Sequence, residues 1–107
     1  MTAIKVSMGI ILDSKGKILI AQRNLQKNFG GMWEFPGGKI ETSETPEAAL
    51  IRELREELNI DTSLSCLAPL SFASHHYDAN DDQDAFHLLM TFLKKIVFIE
   101  FWKLTLT

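Results

Sequence analysis

The sequence predicts an α/β domain, because strand-like segments lie on both sides of one strongly amphipathic helix. Residues 4–12 and 85–93 are rich in apolar and β-branched side chains, which is typical of strands. Between them, residues 46–58 carry apolar side chains at helical spacing. A length of 107 residues and a hydrophobic content of 46% fit a single globular domain with its own core.

The composition disfavours several classes of function. A formal net charge of −3 argues against a surface that tracks nucleic-acid phosphates, so we expect no nucleic-acid polymer as a partner. Cys66 is the single cysteine, which excludes an internal disulfide and fits a reducing, cytoplasmic compartment. No segment approaches the roughly 20 apolar residues that a membrane span needs, so we expect no membrane association.

The first predicted element is a β-hairpin. Residues 4–12 and 17–22 are strand-like, and the intervening sequence Asp-Ser-Lys-Gly has turn chemistry. Residues 24–31 are polar and end in two glycines, which predicts a loop. After a short apolar segment, Pro36-Gly37-Gly38 predicts a tight turn in which backbone groups can approach a ligand.

The helix is predicted to begin after Thr45 and to end at about Leu58. Threonine is a good N-cap residue, Pro46 suits the first helical position, and Glu47 complements the positive end of the helix dipole. An apolar stripe should face the core: Leu50, Ile51, Leu54 and Leu58. Further strands are predicted at residues 64–74 and 85–93, with a polar, acidic loop between them.

Three glutamates share the exposed side of this helix. At about 100° per residue, Glu53, Glu56 and Glu57 fall within an arc of roughly 100° opposite the apolar stripe, with Arg52 at its edge. In one interpretation this side is merely solvated, and the glutamates pair with Arg52 and Arg55 for about 0.2–0.5 kcal/mol each. In the other, a divalent cation offsets the carboxylate repulsion, and the glycine turn adds a carbonyl ligand.

The spacing resembles the signature of the Nudix hydrolases, G-x5-E-x7-R-E-U-x-E-E-x-G-U, where U is aliphatic. The match runs from Gly38 through Glu44 to RELREELNI at residues 52–60, and every fixed position but one is met. The exception is Asn59, where the family has glycine. Asparagine also tolerates the left-handed conformation that ends a helix, so we expect the geometry to be kept. The resemblance favours the metal-binding interpretation.

A closer similarity, to the MutT branch of this family, covers roughly residues 4–93. It is carried by WEFPGGKIE, ETPEAALIREL, the opening VSMGIIL and the pair Gln22-Arg23. This resemblance implies an α/β/α sandwich with a mixed sheet. It also implies hydrolysis of oxidised purine nucleoside triphosphates such as 8-oxo-dGTP to a nucleoside monophosphate and pyrophosphate, with Mg²⁺ or Mn²⁺ as the cofactor.

The resemblance also implies roles for individual residues. The implied metal ligands are the Gly37 carbonyl and the carboxylates of Glu53, Glu56 and Glu57. Glu53 is in addition the candidate general base, Arg52 is expected to fix the glutamates by ion pairing, and Glu44 is expected to support that network or reach a metal through water. The implied base-binding residues are Arg23, Asn28, Glu34, Phe35, Pro36, Gly37 and Gly38.

Other polar residues give weaker signals. Phe35 has an equally good interpretation as a core residue. His75, His76 and His87 show no spacing with the cysteine that suggests a metal site, and we expect them to have no catalytic role. The acidic run at residues 78–84 lacks the pattern of a calcium loop, so solvation is its simplest explanation.

The similarity stops after residue 93. We therefore expect a Nudix domain at residues 1–93 and an atypical, strand-prone tail at residues 94–107, which leaves the C-terminal part of the fold incomplete. Three functions remain open: a MutT-type hydrolase, a hydrolase of another nucleoside diphosphate derivative, and a catalytically weak nucleotide-binding module. In each case the expected partner is a small nucleotide, bound by a monomer or a homodimer.

Overall fold

The computed structural model describes residues 2–26 and 30–96 and has a mixed α/β fold. Its strands are β1 (Thr2–Leu12), β2 (Ala21–Gln22), β3 (Trp33–Glu34), β4 (Gly37–Lys39), β5 (Ala68–Tyr77) and β6 (Phe86–Ile96). Four of them form one sheet in the order β4-β1-β6-β5, whereas β2 and β3 form a separate antiparallel ribbon. Because β1 pairs in parallel with β6 and antiparallel with β4, the sheet is mixed, as expected.

One α-helix, α1 (Pro46–Leu58), packs on this sheet, and its bounds confirm the sequence prediction. The Thr45 hydroxyl accepts the backbone N–H of Ala48 at 3.1 Å as an N-cap, and Asn59 adopts the left-handed C-cap conformation with φ 54° and ψ 34°. Among the described residues α1 is the one α-helix, so they supply one helical layer of the expected sandwich. It is too short to span a membrane, and the described part of the chain has no other candidate span.

Alternation along β1 divides its side chains between the two faces of the sheet. Ser7, Gly9 and Ile11 lie toward α1, and we call this side the helix face. Ser7 is fully buried, and its hydroxyl donates to the Pro46 carbonyl at 2.7 Å, which ties β1 to the start of α1. The intervening residues lie on the opposite side, which we call the open face: Ile4, Val6 and Met8.

The hydrophobic core lies between the helix face and α1. It consists of Ile11, Leu19, Leu50, Leu54, Leu58 and Leu93. Three of the four predicted stripe residues of α1 are buried, whereas Ile51 is half-buried and Ala49 lies inside instead. This packing fixes the rotation of α1 about its axis, and so fixes which side its glutamates occupy.

Several strand boundaries differ from the prediction. The strand predicted at residues 64–74 begins only at residue 68, after a 3₁₀ turn, and β6 continues to residue 96 instead of 93. The return strand of the hairpin is nearly absent: Leu12 and Ile18 form an isolated bridge, and regular pairing resumes only at Ala21, with β3 as the partner. Strand β5 continues through Tyr77, so the acidic loop is shorter than predicted. Residues 75–77, which the sequence pattern assigned to the loop, instead pair antiparallel with β6 as part of the strand.

Candidate active site

The tight turn predicted at Pro36-Gly37-Gly38 is only a bend at Pro36, because Gly37 and Gly38 open strand β4 and pair with β1. We call these three residues the glycine turn. Gly9 donates its backbone N–H to the Pro36 carbonyl at 2.7 Å, and Gly37 pairs with Met8. Gly37 has φ +144°, and a Cβ there would collide with the Ser7 carbonyl oxygen. Only glycine fits this position, because any side chain would collide with the backbone of β1.

The side chain of Glu53, on helix α1, lies against the same turn. A Cβ added to Gly38 would lie 2.6 Å from both Cδ and Oε1 of Glu53, so this carboxylate rests against bare backbone. The Glu53 side chain is 15% exposed, which makes it the least exposed of the predicted catalytic carboxylates. The structure therefore brings the helix and the double-glycine turn together.

Arg52 holds the acidic side chains in place. Its Nε and Nη2 donate to the two oxygens of Glu44 at 2.8 and 2.9 Å, and Nη1 donates to Glu53 at 2.9 Å. The same guanidinium donates to the Lys39 carbonyl at 3.0 Å and lies 3.5 Å from Glu56. A bidentate pair constrains both partners, so these contacts are the ones that the predicted role of Arg52 requires. The role itself stays a prediction.

Glu44 is locked by its own loop as well. One of its carboxylate oxygens accepts the backbone N–H of Glu41 at 2.8 Å, and its N–H donates to the Glu41 carbonyl at 3.0 Å. The Arg52 hydrogen bond, followed by this backbone hydrogen bond, lowers the pKa of Glu44 from 4.5 to about 2. The same pairing raises the pKa of Arg52 above its usual range. This pair is therefore charged at any physiological pH.

The remaining predicted metal ligands are solvent-facing. The Glu56 side chain is 60% exposed, and Glu57 is exposed on the same side of α1. The residues described by the structure contain no group of three or more histidine, cysteine, aspartate or glutamate side chains arranged to hold a metal ion. Carboxylates and a carbonyl are nevertheless the donors that Mg²⁺ prefers, so the donor set fits in its chemistry. The four-ligand set stays a prediction.

A cavity of about 740 Å³ opens on the other side of the glycine turn, against the open face. Large apolar side chains from β1 and β6 form its floor: Ile4, Val6, Met8, Phe86, Leu88, Met90 and Phe92. Phe35 meets Phe92 edge to face with ring centroids 6.2 Å apart, and Tyr77 stacks on Phe86 at 4.8 Å. The cavity is thus apolar, with aromatic rings on two sides.

Five of the predicted base-binding residues line this cavity: Arg23, Glu34, Phe35, Gly37 and Gly38. Arg23 and Glu34 pair across the rim, with Nη1 and Oε1 3.4 Å apart. Pro36 is buried and instead braces the turn through its carbonyl, and Asn28 lies outside the described residues. Phe35 is half-buried and borders the cavity, so it combines the two interpretations given to it.

Sequence reasoning missed most of the cavity floor. Trp33 and Tyr77 also line it. Trp33 lies in the segment WEFPGGKIE that carries the family resemblance but was not assigned to the site, and Tyr77 stands in no motif. The sequence did carry one signal for the cavity floor. Large apolar residues occur at both odd-numbered and even-numbered positions of β1 and β6, so both faces of the sheet are apolar, whereas a sheet covered on one side needs only one apolar face. The acidic side of the site and this cavity meet at Gly38, which contacts Glu53 and lines the cavity.

Two curated proteins illustrate the sequence relationship to known enzymes. The chain is 53% identical over 58 residues to the 8-oxo-dGTP diphosphatase of Proteus vulgaris, a match that covers 54% of this chain and 52% of that protein. It is 52% identical over 54 residues to the CTP pyrophosphohydrolase of Escherichia coli K12, which covers 50% of this chain and 40% of that protein. The matches thus span about half the length of these relatives, or less.

Solved structures share the fold. The MutT protein of Methanosarcina mazei Go1 superposes with a TM-score of 0.72 at 19% identity, over 99% of this chain and 70% of that one. The ORF135 protein of E. coli gives a TM-score of 0.58 at 39% identity, over 87% of this chain and 61% of that one. The NUDIX domain profile matches residues 2–99. This match covers most of the chain, and with the site geometry above it establishes that the chain belongs to the Nudix family.

Proposed function

We propose that the chain hydrolyses oxidised purine nucleoside triphosphates such as 8-oxo-dGTP to a nucleoside monophosphate and pyrophosphate, which removes mutagenic precursors from the nucleotide pool. One observation carries the proposal: the Glu53 carboxylate lies against Gly38, and Gly38 also lines the cavity. Acidic groups suited to a metal-bound diphosphate therefore adjoin a cavity suited to a flat, apolar base.

The cavity supports a nucleobase as the ligand. Its volume of about 740 Å³ lies within the range of small-molecule sites. Aromatic walls such as Trp33 and Tyr77 favour stacking on a base, and the Arg23 and Glu34 side chains at the rim offer polar contacts to its edge. A base held there places its phosphates toward the glycine turn.

A divalent cation fits the acidic side of this arrangement. The residues that would hold it are the Gly37 carbonyl, Glu53, Glu56 and Glu57. Mg²⁺ or Mn²⁺ bound there supplies positive charge, which stabilises the charge that develops on the diphosphate during hydrolysis. The Glu56 and Glu57 side chains face solvent and can rotate toward a common ligand.

The chain's own residues orient the attacking water. Glu53 is the group within reach of the turn that accepts the water's proton, because it is the partly buried carboxylate nearest the backbone where phosphates would lie. Arg52 holds Glu53 at 2.9 Å and is itself held by Glu44. This chain of contacts restricts the Glu53 rotamer and keeps Arg52 charged, so we assign Arg52 and Glu44 positioning roles.

A second substrate class belongs in the assay. The relative named CTP pyrophosphohydrolase is nearly as similar as the one named 8-oxo-dGTP diphosphatase, and both matches cover about half of this chain. The matched segments therefore do not separate a purine from a pyrimidine substrate. Base preference depends on the cavity, whose floor includes β6, far from the signature in sequence.

A substrate panel tests the proposal. The purified chain is incubated with Mg²⁺ and 8-oxo-dGTP, dGTP, CTP or ADP-ribose, and monophosphate and pyrophosphate are quantified. Preferential turnover of 8-oxo-dGTP is the expected result. Preferential turnover of CTP or ADP-ribose would move the chain to another Nudix substrate class. Nucleotide binding without turnover of any of them would identify a binding module and contradict the hydrolase proposal.

A further inference from the structure

Two histidines on the side of the sheet away from the cavity face each other across a strand pair. His76 of β5 and His87 of β6 are directly opposite in the antiparallel register, so their side chains lie on the same face of the sheet. Their ring centroids are 4.8 Å apart, and both residues are exposed. The spacing of the two histidines in the sequence does not indicate this pair, because only the pairing of β5 with β6 brings the two residues together.

The separation of the rings is that of two imidazoles on one metal ion. A zinc–nitrogen bond of about 2.0–2.1 Å places a ring centroid roughly 3.2 Å from the metal, so two rings on a tetrahedral ion lie about 5 Å apart. The observed 4.8 Å agrees with this distance. A modest change in the side-chain torsions of exposed residues is enough to aim both nitrogens at one point.

Asp78 prepares one of these imidazoles for coordination. Its Oδ1 lies 3.0 Å from Nε2 of His76. A carboxylate can only accept, so Nε2 carries the proton and Nδ1 keeps its lone pair. A carboxylate that holds the far nitrogen of a histidine in this way is the usual partner of a metal-ligating imidazole, because it fixes the tautomer and raises the basicity of the ligand.

We propose that His76 and His87 form a surface site for a borderline transition-metal ion such as Zn²⁺, with water completing its coordination. Two imidazole nitrogens select Zn²⁺, Cu²⁺ or Ni²⁺, whereas carboxylate and carbonyl oxygens select Mg²⁺ or Mn²⁺. The site therefore differs in metal preference from the acidic side of α1. It needs two protein ligands only, which is consistent with the lack of larger metal-binding clusters in the described residues.

The site lies outside the candidate active site. His87 pairs through β6 with Ala3 of β1, several residues along the sheet from the Ser7–Gly38 pair beside Glu53. A bound ion would link β5 to β6 at the end of the sheet where β6 begins. Its existence does not depend on the proposed hydrolase activity, and binding measurements test it separately.

The experiment is a ZnCl₂ titration followed by long-range ¹H–¹⁵N spectra of the histidine side chains, with isothermal titration calorimetry for affinity. Excess Mg²⁺ is present throughout to occupy carboxylate sites, and every variant carries Cys66→Ser to remove the exposed thiol. The variants are His76→Gln, His87→Gln and His75→Gln. His75 is the matched control, because it neighbours His76 on the same strand but alternates to the opposite face.

We expect one equivalent of Zn²⁺ to shift the ring nitrogens of His76 and His87 together. Either His76→Gln or His87→Gln should weaken binding by at least about tenfold, since loss of even a supporting partner costs that much. His75→Gln should bind as the parent does. The inference is overturned if zinc affinity is unchanged in both test variants, or if all three variants lose affinity equally. Unchanged melting temperatures without zinc establish that each variant is folded.

Discussion

The two faces of the same sheet differ in how they are covered and in what they can do. On the helix face, Ile11 and Leu93 are completely buried beneath α1. On the open face, residues of the same strands, such as Val6 and Met90, are half-buried around a cavity. The helix face supplies rigidity and holds the acidic residues, whereas the open face supplies a surface that a ligand can cover.

The faces also differ in how far apart their residues lie in the sequence. The acidic side of the site is contained in residues 38–60, within one turn and one helix. The cavity collects residues from Ile4 to Phe92. We therefore expect substitutions on the acidic side to change the rate of chemistry, and substitutions on the open face to change which base is accepted. Matched substitutions on each side test this division.

Glu53→Gln should have the largest effect. It removes the proposed proton acceptor while keeping an oxygen that can accept from Arg52, so the rate should fall about 10²–10⁴-fold with the fold intact. Single-turnover hydrolysis of 8-oxo-dGTP, with circular dichroism to establish folding, measures this. Glu47→Gln is the matched control on the same helix and should change the rate by about twofold or less. A Glu53→Gln rate equal to that of this control would remove Glu53 from the mechanism.

Gly38→Ala tests the point at which the acidic side and the cavity meet. The added Cβ would lie 2.6 Å from the Glu53 carboxylate, the flexible end of a side chain, so the carboxylate should move while the backbone stays in place. A displacement of about 1 Å at a catalytic group costs about 10²-fold in rate, which the same hydrolysis assay measures. Gly16→Ala is the control: it strains a left-handed turn at φ +80° but meets nothing within 4 Å, so it should lower stability and leave the rate unchanged.

A matched pair of leucines compares the two faces directly. Leu50 of α1 is completely buried against the helix face, whereas Leu88 is half-buried in the cavity floor. Leu50→Ala should lower the free energy of unfolding by about 2–5 kcal/mol, and Leu88→Ala should cost only about 1 kcal/mol because its cavity already exists. Urea denaturation measures both values.

The same pair should behave oppositely toward substrate. Leu88→Ala should raise KM or alter the preference between 8-oxo-dGTP and CTP, because it enlarges the cavity floor. Leu50→Ala should leave that preference unchanged in the folded fraction. Equal effects of both substitutions on base preference would contradict the division between the faces.

How much of this molecule the sequence predicts depends on how local each feature is. The N-cap at Thr45, the C-cap at Asn59 and the bounds of α1 are predicted correctly, because each depends on residues within a few positions. The contact of Glu53 with the glycine turn follows from the family resemblance. The family signature includes both Gly38 and Glu53, which are 15 residues apart in the sequence and lie in neighbouring elements of the structure.

Non-local pairing produces the features that sequence patterning misses. β1 and β6 pair in parallel with Thr2 opposite Phe86, and no local signal specifies this register. The cavity floor depends on it, as does the meeting of His76 with His87 through β5. The nearly absent return strand of the hairpin has the same origin, because Ala21 pairs with Glu34 of β3 in place of β1.

The smallest expected effect is the pH dependence contributed by Glu44. Because its pKa is about 2 in the folded chain and 4.5 for an unperturbed glutamate side chain, the folded state binds fewer protons between these pH values. The stabilisation from the Glu44–Arg52 pair is therefore complete above about pH 4.5 and is lost as the pH falls toward 2. Unfolding free energies of the parent and of Glu44→Gln should differ most above pH 4.5 and converge in acid.

Arg52→Met identifies the cause of that convergence. Suppose that the Arg52 guanidinium holds the Glu44 carboxylate in its charged form. In the Arg52→Met background, Glu44→Gln should then change the free energy of unfolding by nearly the same amount at every pH, because only the Glu41 backbone hydrogen bond would remain. Urea denaturation at pH 6, 4, 3 and 2 completes the cycle. An undiminished pH-dependent difference in that background would show that the loop around Glu41, and not the arginine, holds Glu44 in its charged form.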